Sequence, residues 1–245
     1  MSETGGHSPM HQFEVHKIIE MNIGGLDVSF TNASLFMVFA MISISIFFMI
    51  GMRRHALVPG RWQSATEAMY EFVANMLRDN VGAEGKRYFP FIFTLFMFVL
   101  TCNLLGMLPY SFTVTSHIVV TFALAILIFI GVTIIGFMRH GAHYFHLFLP
   151  DGVPWWMAPL MVFIELLAYL ARPVTLSVRL AANMMAGHTM LKVIAGFVAM
   201  MGLFGVLPIA LLIILVGFEI FVAVLQAYIF TVLTCVYLND AVHMH

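Results

Sequence analysis

Five long apolar runs dominate the chain, and most charged positions fall between them. The runs extend from about Thr31 to Met52, Tyr88 to Leu108, His117 to Met138, Pro154 to Met200 and Val206 to Leu238. A helix needs about 20 apolar residues to cross the hydrocarbon core of a bilayer. The first three runs fit single spans. The fourth and fifth are too long: about 47 residues of helix measure roughly 70 Å at about 1.5 Å per residue. They are predicted as long tilted helices, kinked where Pro173 and the glycines allow. Splitting the fourth run into two spans is the alternative. Residues 62–78 follow a different pattern. Trp62, Ala65, Met69, Phe72, Val73 and Met76 recur at helical spacing among Gln63, Ser64, Glu67, Glu71, Asn75 and Arg78. That predicts an amphipathic helix at the membrane surface or packed on a partner. The expected fold is an all-α integral membrane protein with about five membrane-embedded helices, one interfacial helix and a C-terminal antiparallel hairpin. It forms a single membrane domain over residues 1–245. Within it lie an outer-side segment at 1–30, the surface helix at 62–78 and the hairpin at 154–238.

Composition agrees with a lipid environment. Of 245 residues, 62% are hydrophobic and only 9% charged, against about a quarter charged in ordinary soluble domains. The net charge of -1 disfavours nucleic acid as a partner. Cys102 and Cys235 sit in apolar runs and read as buried hydrophobes, not as a disulfide. The N-terminal residues are polar and include acidic groups, unlike a signal or transit peptide. The first apolar run is therefore expected to act as its own insertion signal. Arg53, Arg54, Arg61, Arg78, Lys86 and Arg87 lie between the first and second runs, and Arg139 follows the third. The positive-inside rule then places the N-terminus outside and the C-terminus inside. No nucleotide-binding or metalloprotease motif is present, and no catalysis, cofactor or metal is expected of the chain alone. His140, His143 and His146 read as ordinary interfacial polar groups.

The fourth run carries Glu165, Arg172, Arg179, His188 and Lys192, and the fifth carries Glu219. Ionisable residues inside spans cost about 2.5–3.5 kcal/mol each on insertion scales and are functional candidates. At about 100° per residue, Glu165, Arg172 and Arg179 share one helix face, Asn183 flanks it, and His188 falls opposite. Glu219 and Gln226, seven residues apart, share a face of the next helix. If the two helices form a hairpin turning near Gly202–Gly205, His188 lies level with Glu219 and Arg179 with Gln226. A His facing a Glu in low dielectric suits a proton relay. Glu165 with Arg172 could be a structural ion pair, and His188 with Glu219 could simply lock two helices. Arg179 resists a structural reading, because Arg172 is the nearest ionisable group on its stripe and has the same sign; an uncompensated cation calls for an external anion. Ala171, Ser177, Ala181, Ala182, Ala186 and Gly187 permit close helix packing or flatten a face for a partner.

The run RPVTLSVRLAANMMAGH (172–188) resembles the signature of subunit a of F-type ATP synthases. LQAYIFTVLTCVYL (225–238) and NLLGMLP (103–109) are similar to further motifs of that family. The resemblance implies a membrane stator that faces a ring of c subunits and offers it two offset half-channels. It implies that Arg179 is the arginine facing the ring's carboxylates, with Asn183 and Gln226 beside it. His188 and Glu219 match a pair lining the outer half-channel, and Glu165 a carboxylate near the path. Implied partners are the c-ring, b-type peripheral stalk subunits, the rest of the F1Fo complex and the bilayer. The expected location is the plasma (inner) membrane of a bacterium, with the mitochondrial inner membrane as the alternative. Glu71 and Asp79 are candidates for the inner half-channel. Two rivals remain: a secondary transporter binding an anion at Arg179, although internal repeats are not evident, and a structural anchor of a respiratory complex.

Overall fold

The computed structural model describes residues 17–20, 22–23, 26–27, 29–53, 60–108, 111–141, 144, 156–201 and 205–243. Six α-helices account for most of them: α1 (Asn32–Gly51), α2 (Arg61–Val81), α3 (Phe89–Gly106), α4 (Ile118–His140), α5 (Ala158–Met201) and α6 (Val206–Val242). Five have the length and hydropathy to cross a membrane, and α2 is the exception. The protein is an all-α membrane protein. Ahead of α1, short strands β1 (Lys17–Ile19) and β4 (Phe30–Thr31) pair antiparallel, as do β2 (Asn22–Ile23) and β3 (Leu26–Asp27). These strands were not expected from the sequence, because two- and three-residue pairings leave no periodic signal.

Local chemistry explains the boundaries. The Thr31 hydroxyl accepts from the Ser34 amide and caps α1, satisfying one of the free N–H groups of the first turn. Pro90 sits in the first turn of α3, where its missing N–H costs nothing. Gly141, at φ 57°, terminates α4, a left-handed position that glycine adopts without strain. α5 continues through Pro173 as one helix of 44 residues, so the two-span alternative does not hold. At about 1.5 Å per residue, α5 and α6 are roughly twice as long as the hydrocarbon is thick.

The core lies where α2, α3 and α4 meet α5 and α6, around Val73, Ile92, Ile128, Leu180 and Phe230. On α5 the buried positions Tyr169, Pro173, Leu176, Leu180, Met184 and His188 follow helical spacing. The opposite face, with Val178, Arg179, Ala182, Asn183 and Ala186, is exposed. α2 is amphipathic but rotated from expectation: Thr66, Val73, Met76, Leu77 and Val81 are buried, whereas Trp62 and Phe72 are exposed. Its apolar stripe packs on α6, α1 and α3 of this chain. Trp62 and Phe72 instead take aromatic neighbours, Trp62 beside Phe47 and Phe72 beside Phe96 and Tyr228. Cys102 and Cys235 are free and buried, as expected.

Candidate functional site

The polar residues of α5 and α6 come together in antiparallel register. His188 Nδ1 is hydrogen-bonded to Glu219 Oε1, and both side chains are buried. His188 Nε2 donates to the Gly106 carbonyl at 2.8 Å, at the C-terminal end of α3. A carbonyl oxygen only accepts, so Nε2 carries a hydrogen. The remaining proton lies between Nδ1 and the carboxyl: the pair is either neutral histidine with carboxylic acid or imidazolium with carboxylate. A group that holds one exchangeable proton in two places can accept and pass one.

Two glycines make this possible. A Cβ at Gly187 would stand 2.8 Å from Glu219 Oε1, so only glycine lets the carboxylate lie against α5. A Cβ at Gly106 would meet Thr113 Cγ2 at 2.7 Å, and the Thr113 hydroxyl donates to the Gly106 carbonyl at 3.2 Å. Asn103, fully buried one turn before Gly106, donates from Nδ2 to the Ala223 carbonyl at 3.1 Å and ties α3 to α6. The NLLG motif thus supplies two contacts to the hairpin. Among the described residues, four buried side-chain atoms lack partners: Asn103 Oδ1, Thr115 Oγ1, His117 Nε2 and Glu219 Oε2. Buried polar atoms of this kind are sites for ordered water. His117 stacks on Phe112 with centroids 4.7 Å apart. Burial lowers its imidazole below the ordinary value.

Further along the hairpin, Asn183 Nδ2 donates to Gln226 Oε1 at 2.8 Å. Gln226 was expected opposite Arg179; it meets Asn183 instead, one turn away. Arg179 is exposed and makes no hydrogen bond or ion pair among the described residues. It lines a groove of about 620 Å³ with Asn183, Gly187, Glu219 and Gln226, walled by Phe218, Val222 and Ile229. The groove therefore joins the free cation, the amide pair and the buried carboxyl.

The Glu165–Arg172 ion pair weighed as a structural alternative does not form. Arg172 Nη1 bonds Asp240 Oδ2 at 3.0 Å, and its guanidinium stands over Tyr169 and Tyr237 at 5.5 and 4.9 Å from the ring centroids. Helical spacing on α5 favoured Glu165, but α6 brings a closer carboxylate from 68 residues away. Glu165 is half-buried without a hydrogen bond or ion pair among the described residues. Glu71 and Asp79 are exposed on α2. Ser177 and Ala181 pack inward, while Ala171, Ala182 and Ala186 lie on the exposed face. His140 bonds the Val242 carbonyl at 3.3 Å; His143 and His146 lie outside the described residues.

Residues 34–239 match the family described as ATP synthase A chain. The chain is 58% identical over 240 residues to ATP synthase subunit a of Ehrlichia canis (strain Jake), covering 97% of this chain and 99% of the relative. It is 58% identical, again over 240 residues, to ATP synthase subunit a of Rhodospirillum rubrum, covering 98% of this chain and all of the relative. With the motifs, the five apolar helices and two relatives matched over nearly their whole length, the chain belongs to the ATP synthase A chain family.

Proposed function

We propose that this chain conducts protons between the two sides of the membrane and a ring of c subunits, through two offset half-channels separated by Arg179. As a family member it is a subunit of the membrane sector of the ATP synthase, and it serves ion transport coupled to ATP synthesis. The observation that carries the finer reading is the groove lined by both Arg179, without an ion-pair partner among the described residues, and Glu219, the carboxyl bonded to His188.

The outer path is best supported at the end of α3 and the 114–116 turn. There Thr115, His117 and Asn103 hold buried, unpartnered polar atoms, as does Glu219 at Oε2. Water held by these groups delivers a proton to the His188–Glu219 pair, which passes it to a ring carboxylate in the groove. The neutral carboxyl then turns into lipid. When it returns towards Arg179, the guanidinium favours the ionised form by on the order of 4 kcal/mol at about 4 Å and an effective dielectric of about 20. The proton leaves on the inner side, with Glu165 near that path. Arg179 does not itself release a proton, and its fixed charge repels a proton moving directly between the half-channels. Asn183 and Gln226 hold the groove polar without adding charge. The partners on this reading are the c-ring, b-type stalk subunits and the rest of the F1Fo complex, in the plasma membrane of a bacterium.

The test is proton pumping and ATP synthesis in membrane vesicles carrying the assembled complex. Arg179→Ala is expected to lose both. Arg179→Lys is expected to lose most of both, because an ammonium lacks the planar fork and yields its proton more readily. Normal coupling in the assembled Arg179→Lys complex would overturn this account of the arginine.

A further inference from the structure

Arg172 and Arg179 are seven residues apart on α5, nearly on one face and about 10 Å apart along the axis. Their surroundings differ. Arg179 is exposed and without an ion-pair partner among the described residues. Arg172 is half-buried, paired with Asp240 at 3.0 Å and enclosed by the rings of Tyr169 and Tyr237. Among the described residues, one arginine of the stripe has no ion-pair partner and the other is paired.

We propose that Asp240 masks the charge of Arg172, so that a ring carboxylate moving along α5 meets one attracting cation and not two. The inference rests on the reading that Arg179 faces those carboxylates. A free Arg172 would offer a second well about two turns inward from the first. A carboxylate held there would leave Arg179 late, and its proton exchange would fall out of step with rotation. The surrounding groups fit masking. α6 supplies Asp240 and Tyr237, and α5 itself supplies Tyr169, whose hydroxyl is engaged with Thr133 of α4 at 2.6 Å and with Tyr144 at 3.0 Å. The guanidinium lies over both rings, while the carboxylate takes Nη1.

Masking and mechanical bracing make opposite predictions for a double variant. A brace is broken equally by removing either partner, and removing both restores nothing. A mask matters only while there is a charge to cover. The experiment is ATP-driven proton pumping in vesicles with the whole complex, each rate divided by the amount of assembled complex. Asp240→Asn is expected to slow pumping at least about tenfold, Arg172→Gln to stay within about twofold of the parent, and the double variant to recover to within about twofold. The double variant decides the matter even if Asp240→Asn alone fails to assemble, because masking requires it to assemble and pump. A double variant no faster than Asp240→Asn, or a normal Asp240→Asn, would overturn the proposal. Arg179→Gln in the same vesicles separates the two claims: retained coupling there sinks the reading of Arg179, whereas its loss beside a normal Asp240→Asn sinks the masking alone.

Discussion

At position 187 a hydrogen atom stands where any other residue would place a methylene against Glu219. The end of a glutamate is ordinarily free to move, but this one is held by His188. Gly187→Ala must therefore draw the carboxyl away from the imidazole or push α5 off α6. The strain of such overpacking is about 1–3 kcal/mol, too little to unfold a subunit packed this widely. We expect the Gly187→Ala complex to assemble and its proton pumping to fall about tenfold, the scale of a single misplaced group on a reaction path. Pumping at the parent rate would remove the His188–Glu219 contact from the path. The pairing of these two residues could be read from the sequence, because an antiparallel hairpin fixes which positions are level. Gly187, Gly106 and Asn103 could not be read as site residues. A glycine's importance lies in what approaches it, and Asn103 acts on a backbone carbonyl 120 residues away. Asp240 was missed for a related reason: it competes for Arg172 across helices, where spacing along one helix gives no warning.

At the scale of elements, apolar runs gave the helices to within a few residues, since hydrocarbon leaves a backbone few other ways to satisfy its polar groups. The facing of α2 was less legible. Its polar and apolar residues suggested a stripe at the membrane surface or packed on a partner, but the buried stripe is covered by α1, α3 and α6 of this chain, and Trp62 and Phe72 of the predicted face are exposed. A similar contact fixes the C-terminal end of α4. Tyr144, 2% exposed, lies flat against Gly136 and bonds Tyr169. A methyl group at Gly136 would overlap the Tyr144 ring. Gly136→Ala is expected to cost about 1–3 kcal/mol, seen as a lower melting temperature of the solubilised complex. Pumping at low temperature should be preserved, since the ring contacts lie away from the groove. Loss of pumping without loss of stability would instead place the Tyr144–Tyr169 contact in the conduction path.

Over the whole molecule, Arg172, Asn183 and His188 of α5 have one property in common: each is hydrogen-bonded to a helix other than α5. Arg172 needs Asp240, Asn183 needs Gln226, and His188 needs both Glu219 and Gly106. Gly106 is synthesised before α5, but the other three partners are all on α6. A nascent chain that ends after α5 would carry Arg172, Arg179 and His188 into the translocation machinery with most of their partners unmade, and the arginines cost about 2.5–3.5 kcal/mol each at a span's centre. α5 is therefore expected to enter the bilayer poorly by itself and to be drawn in when α6 follows. A topology reporter placed after residue 201 should show α5 largely uninserted, and one placed after residue 243 should show both helices across. Equal insertion at the two points would mean that α5 is apolar enough unaided. On this view the carboxylates and amide of α6 that pair with α5 also time biogenesis: α5 is committed to the membrane only when the chain has made what neutralises it.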